Sequence, residues 1–377
     1  LKERLMKKTI ILSFMALAFA FTSTVKAEMS LSGYQEFFAG SVDQSTYEGL
    51  NNTHIDQAGI KNGQYTRITA DYSSTLDSGL DFSGQLTVMS RDCQGGDQDN
   101  CGTVNHNFVN VSGNFGTFSV GERFGAGAAM LSRLTASGPT AEPDGAVFKT
   151  FYTVDSVNVY GSENEQNYAT ANLKALYMSN VYSGFSFAVE YTPNAGEMGA
   201  NTSGQLTAVT NGKWSSFNDI FAVFGKYALD IDGVGLELVY GQQTGNAGQV
   251  NGNNYNDLEE STYSAKITYG NFEADYRKNE ADNSGTIKNG QDGNDEGTSI
   301  CGVYSFASMR AGVCSVESSY TDTNNRSNSS ELMTYSADYS VGGGVTVGVM
   351  YFDHEQTANS QIRTDADGVM TMLSVGF

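Results

Sequence analysis

The sequence predicts an all-β chain: a transmembrane antiparallel up-and-down β-barrel of sixteen strands. Three observations lead there. An export-type segment opens the chain, short Gly-, Asn- and Asp-bearing turns recur along the rest, and the stretches between them alternate apolar and polar residues. Composition agrees. The chain holds 43 Gly, 21 Tyr and 21 Phe against 3 Pro and 1 Trp, which favours strands and tight turns over helices.

Residues 1–27 read as a cleaved signal peptide. Lys7 and Lys8 supply the positive start, Ile10 to Phe21 the apolar core, and Val25-Lys26-Ala27 the short residues before a cut after Ala27; Met6 is an alternative start. The core is too short to span a bilayer as a helix, and nothing after Phe21 is apolar for long enough to do so. A membrane barrel escapes that test, because its strands alternate lipid-facing and lumen-facing residues and no window averages as hydrophobic. Residues 28–377 are then read as one barrel domain.

Seven short turns divide this domain: Asp77-Ser78-Gly79, Gly113-Asn114-Phe115-Gly116, Ser183-Gly184, Asp230-Ile231-Asp232-Gly233, Gly270-Asn271, Ala307-Ser308 and Gly342-Gly343-Gly344. They pair fourteen strands. A first strand near Met29 to Val42 and a last near Gly368 to Phe377 make sixteen, an even number that allows antiparallel closure without exposed edges. Long polar segments, such as Asp43 to Gln64, Ala281 to Gly297 and Thr321 to Ser330, are expected as loops on the opposite rim. Pro139, Pro143 and Pro193 all fall in such segments or at a strand end.

Parity assigns the faces. Ile68, Ala70, Tyr72 and Leu76 should face lipid, with Arg67, Thr69, Asp71 and Ser73 in the lumen. On the next strand Phe82, Leu86 and Val88 go outward, while Asp81, Ser83, Gln85, Thr87 and Arg91 go inward. A polar, water-filled lumen is the expectation.

Four cysteines in an exported chain suggest two disulfides. Cys93 and Cys101 bracket a short Gly-Asp stretch. Cys301 and Cys314 stand at equal distances from the Ala307-Ser308 turn, hence directly opposite one another on adjacent strands. Both should face the lumen beside Arg310, with Ile300, Tyr304, Met309 and Val313 outward. The three histidines are scattered, so metal binding by Cys and His is the weaker reading and no cofactor is called for.

The first 27 residues hold five of the 21 Lys and Arg and one of the 42 acids. That leaves 16 basic and 41 acidic residues, a formal charge of −25. Such a chain lacks the basic footprint of a nucleic-acid binder. Gly125-Ala126-Gly127 has no strand–helix context that would make it a phosphate cradle. Asp292-Gly293-Asn294-Asp295-Glu296 offers oxygen ligands without a full calcium-loop pattern and reads as a solvated loop tip. His354 follows Asp353, but adjacent strand residues point to opposite faces, which argues against a catalytic cluster there.

Several segments, taken in order, resemble the Gram-negative general porin family. Gly113 to Arg123 is similar to the family's turn and fifth strand, with Glu122 interposed in a Gly-Arg-like step. Ala171 to Tyr177 and Ser183 to Tyr191 resemble its sixth and seventh strands, and Met372 to Phe377 its C-terminal strand, whose final aromatic is the assembly signal. The resemblance implies a homotrimer in outer-membrane lipid that passes small hydrophilic solutes and ions, without catalysis. It also implies that the third loop, here Phe124 to about Glu165, folds into the lumen. There Glu142 and Asp144 would oppose a basic wall of Arg67, Arg91 and Arg123. Overall acidity favours cations. The competing readings are a substrate-selective pore, for example for sugars, and a structural or adhesive outer-membrane protein with acidic loops.

Overall fold

The computed structural model describes residues 28–48, 53–76, 78–91, 101–132, 172–194, 209–210, 213–214, 217–250, 252–288, 293–321, 327–358 and 361–377. Twenty strands run in chain order: β1 (Glu28–Glu48), β2 (Thr53–Thr75), β3 (Asp81–Arg91), β4 (Cys101–Gly113), β5 (Gly116–Arg123), β6 (Asn172–Met178), β7 (Phe185–Asn194), β8 (Val209–Thr210), β9 (Lys213–Trp214), β10 (Asn218–Ile231), β11 (Val234–Asn246), β12 (Gln249–Val250), β13 (Asn253–Asn254), β14 (Leu258–Tyr269), β15 (Phe272–Asp282), β16 (Asn294–Phe306), β17 (Met309–Thr321), β18 (Ser327–Gly342), β19 (Val345–Ala358) and β20 (Gln361–Gly376). A single described helix, α1 (Ala126–Met130), follows β5. The short ladders β8–β9 and β12–β13 stand apart, and the other sixteen strands close one antiparallel barrel.

All seven predicted turns join neighbouring barrel strands. Two show why their residues are there. Ser183 and Gly184 have φ of 51° and 86°, and Asp232 and Gly233 have 52° and 82°. Two successive positive φ values give the mirror-image turn whose twist matches a hairpin. Closure comes from β1 pairing with β20, from Tyr34 opposite Gly376 to Thr46 opposite Thr364. The Gly33 and Phe377 backbones then exchange two hydrogen bonds of 3.0 Å, leaving no free edge there.

The faces follow parity. Ile68, Tyr72, Leu86, Val88, Leu373, Val375 and Phe377 are exposed on the outside, while Thr69, Thr87 and Met89 are buried on the inside. Outward aromatics form two tiers. Tyr269, Phe272, Tyr304, Phe306 and Tyr339 lie near the short turns, and Tyr240, Tyr263, Tyr276, Tyr335 and Tyr351 lie further along. Tyr269 and Tyr263 on β14 are six residues apart, a separation of about 20 Å in an extended strand. Paired aromatic girdles around an apolar band are how a barrel meets the two faces of a membrane.

Two expectations need correction. Asp43 to Gln64 is largely not a loop: β1 and β2 pair continuously until Glu48 meets Thr53. Beyond the lipid a strand needs no alternation, so its polar continuation reads as loop in the sequence while its backbone still pairs. Ala281–Gly297 and Thr321–Ser330 shrink for the same reason, with Asn294–Glu296 inside β16 and Ser327–Ser330 inside β18. Asp295 is buried within, and Glu296 faces out to Lys278 at 2.9 Å, so the acidic run is not wholly a loop tip.

The lumen is also not uniformly polar. Phe38, Val42, Val316, Leu332, Met350, Phe352, Ala366 and Met370 all face inward and are buried in one cluster with Cys301 and Cys314. On β19 both faces are apolar, since Val347, Val349 and Tyr351 are exposed outside. Alternation shows that two faces differ where they do; it does not show what covers the inner one.

Candidate functional site: the lumen wall and the root of the third loop

The third loop enters the barrel at once. The run Gly125-Ala126-Gly127-Ala128-Ala129 has almost no side-chain volume, so α1 can lie close on the inner wall. Ala126, Met130 and Leu131 pack against Leu176 of β6, Ala188 of β7, Ala222 and Phe224 of β10 and Val239 of β11. Gly125 is required by a near contact: a Cβ there would collide with a Glu190 carboxylate oxygen.

Glu190 is the first anchor. Its carboxylate accepts the Ala126 N–H at 2.6 Å and the Thr192 hydroxyl at 2.7 Å, and lies 3.1 Å from Lys174 Nζ. Both charged side chains are fully buried. A buried carboxylate is tolerable only when its lone pairs are engaged and its charge is matched, and here both conditions hold. The loop's first turn is thereby part of the charge balance of the wall.

Ser132 is the second anchor. Its hydroxyl donates to Glu237 Oε1 at 2.6 Å and lies 3.4 Å from Lys226 Nζ, while its carbonyl accepts from Arg277 Nη2 at 2.7 Å. Lys226 itself pairs with Glu237 at 2.6 Å. A third such pair, Lys266 with Glu273 at 2.8 Å, sits on the next hairpin. The three Lys–Glu pairs repeat one diagonal arrangement: a lysine on β6, β10 or β14 and a glutamate on the following barrel strand, offset by two residues from direct opposition.

Of the predicted basic wall, Arg67 and Arg123 face the lumen as parity required. Between them His106 points inward from β4, its Nδ1 3.5 Å from Arg67 Nη2 and 3.2 Å from Gln85 Oε1. The His106 ring meets Phe124 edge-on at 4.6 Å. The Arg123 guanidinium lies 4.6 Å from the centre of the Phe108 ring and donates to Ser119 Oγ, Asn110 Oδ1 and the Phe124 carbonyl at 2.9, 3.3 and 3.2 Å. Among the described residues neither arginine forms an ion pair, whereas Lys174, on the β6 strand beside Arg123, and the more distant Lys226 and Lys266 are each matched by a glutamate. Arg91 ends β3 opposite Tyr65. Its side chain, together with Glu142 and Asp144, lies outside the described residues.

Cys301 and Cys314 are directly opposite in register and form the expected disulfide, buried on the inner face. Ile300, Tyr304, Met309 and Val313 are exposed outside, as expected. Cys93 and the Cys101 side chain lie outside the described residues. Ser330 Oγ and His354 Nε2 approach to 2.8 Å inside the wall. Asp353 is exposed on the other face of β19, so it cannot orient that imidazole.

Sequence reasoning missed both anchors. Lys174 and Glu190 were visible only as charges at inward parity, and their meeting depends on the offset between β6 and β7. The run of small residues after β5 was the one local signal that a backbone approaches something closely.

Comparisons with known proteins agree with this architecture. Salmonella typhi OmpF in complex with daunomycin is 15% identical, with a TM-score of 0.59 over 93% of this chain and 97% of that one. An anion-selective porin from Comamonas acidovorans is 12% identical, with a TM-score of 0.61 over 93% and 100%. In-vitro folded OmpT of Vibrio cholerae, in its trimer form, is 14% identical, with a TM-score of 0.57 over 93% and 99%. At these identities the likeness is one of fold. Among curated protein sequences none matches this chain. The family comparison reaches further, because its model spans residues 13–360: the chain belongs to the Gram-negative porin family, and is an outer-membrane channel protein.

Proposed function

We propose that the chain forms a passive, cation-preferring diffusion channel for ions and small hydrophilic solutes. The observation that carries this reading is the third-loop root, held inside a closed sixteen-strand barrel by Glu190 and Ser132. A perimeter of sixteen strands is too wide for wall side chains to fill, and a loop fixed at the wall narrows such a lumen rather than leaving it fully open. Cation preference is supported by the excess of acids over bases, a formal charge of −25 for residues 28–377; the pairs of Lys174, Lys226 and Lys266 with glutamates are neutral as pairs and favour neither sign. Glu142 and Asp144 supply the opposing negative charge in this reading, across from Arg67, Arg91 and Arg123. The anion-selective neighbour is a reminder that the fold alone does not set the sign. The working form is a homotrimer, exported by a leader cut after Ala27, with a second disulfide between Cys93 and Cys101.

The test is the zero-current potential of the purified protein in a planar bilayer under a salt gradient. A cation-side potential that collapses in the Glu142→Gln, Asp144→Asn double variant is the expected result. An anion-side potential in the wild type would overturn the preference.

A further inference from the structure

We infer that the lumen wall of β1 to β4 carries a binding niche for a small hydroxylated solute bearing an ammonium group, an amino sugar or amino alcohol. The inference rests on the channel reading and names a class of solute that the channel holds on its way through. The niche is an indentation of about 350 Å³ near the rim of the short turns, within the range of small-molecule sites. Inward side chains of four neighbouring strands line it in two rows. Ser30, Asp71, Gln85 and Phe108 stand in register across β1, β2, β3 and β4, and Glu28, Ser73, Ser83 and Asn110 form the next row.

Charge sets the sign of the solute. Both charged side chains of the niche are acidic, and neither forms an ion pair among the described residues. Asp71 Oδ1 accepts from Gln85 Nε2 at 2.9 Å, a neutral donor that leaves the carboxylate charge unmatched. A leader cut after Ala27 would give Glu28 an ammonium of its own, so Asp71 is the charge that a solute meets. The chain's cations are held elsewhere. Arg67 lies four residues from Asp71 on β2, about 13 Å along an extended strand, with its Nη2 3.5 Å from His106 Nδ1. Arg123 donates to Ser119, Asn110 and the Phe124 carbonyl. His106 Nδ1 also lies 3.2 Å from Gln85 Oε1, which keeps the amide turned with its NH2 group toward Asp71. Around the carboxylate stand partners for hydroxyl groups: Ser30, Ser73 and Ser83, whose hydroxyl accepts from Asn110 Nδ2 at 3.2 Å and keeps its own proton to donate. Phe108 adds apolar surface for the C–H face of a sugar ring. An ammonium on Asp71 makes a charge-assisted bond, stronger than those of the neutral groups, so the amine orients the solute and the hydroxyls follow.

Ion-current titration of the full chain in a planar bilayer tests this, with glucosamine in its ammonium form as the probe and glucose and N-acetylglucosamine as neutral counterparts. Glucosamine should lower the open-channel current along a saturating curve, and the neutral sugars should need roughly tenfold more for the same effect. Asp71→Asn should move the glucosamine curve onto that of the neutral sugars. Glu331→Gln, which removes an acid from the outer surface, should leave it in place. Three coincident, non-saturating curves, or a wild-type glucosamine curve in Asp71→Asn, would overturn the inference while leaving the channel intact. Should Asp71→Asn fail to fold, Ser83→Ala decides: a weaker glucosamine effect supports the niche and an unchanged one overturns it. A folded wild type that passes no current sinks the channel reading, and saturation-transfer NMR on the solubilised protein then reads glucosamine binding without conduction.

Discussion

Lys174 and Glu190 show how a single pair can bind a loop to a wall. Neither has access to water, and the carboxylate also holds the first N–H of α1 and the Thr192 hydroxyl. Glu190→Gln would keep an acceptor for Ala126 but remove the negative charge 3.1 Å from the buried lysine. A buried charge stripped of its partner costs about 3–5 kcal/mol. The variant should therefore unfold at a clearly lower temperature, read as loss of the folded band on heating before electrophoresis. Adding Lys174→Met removes the lysine charge as well and should recover much of the loss. If the single variant melts like wild type, the pair is not balanced as described.

Hairpins carry the fold at the scale of elements. Their turns were legible because a mirror-image turn needs positive φ, which Gly, Asn and Asp supply, and equal spacing about a turn fixes which residues face one another. That arithmetic placed Cys301 opposite Cys314, as the ladder has it. The strand ends were not legible, because alternation ceases where lipid ceases while pairing continues, as in β1 and β2. The disulfide closes a separation of 13 residues. Cross-links of that span stabilise by about 3 kcal/mol through the unfolded chain. The Cys301→Ser, Cys314→Ser double variant should thus melt earlier than the oxidised wild type but match the wild type under reducing conditions. Equal melting in both conditions would mean that the bond contributes nothing to the fold.

Across the whole molecule, charge is distributed differently from what net charge suggests. Glu317, Glu331, Glu355 and Asp365 stand directly opposite one another on β17 to β20, and all four are exposed on the outer surface. These four of the chain's 42 acids therefore never face the lumen. Inside, among the described residues, Arg67 and Arg123 form no ion pair, whereas Lys174, Lys226 and Lys266 each pair with a glutamate. The barrel itself was readable because parity and turn chemistry act locally along the chain. The inner wall was not, because Ser132 meets Arg277, 145 positions further on, only after the chain between them is folded into a ring, and because Phe352 and Met350 face inward on a strand whose outer side is equally apolar.

The central claim is that this barrel is hollow, with the root of its third loop, up to Ser132, fixed at the wall. Single-channel conductance of the refolded protein in a planar bilayer tests that most directly. The account predicts discrete, long-lived conductance steps that persist without added ligand, grouped in threes for a trimer. A heat-modifiable, correctly folded barrel that inserts and passes no current would contradict it, and would favour a structural or adhesive role for its acidic outer surface.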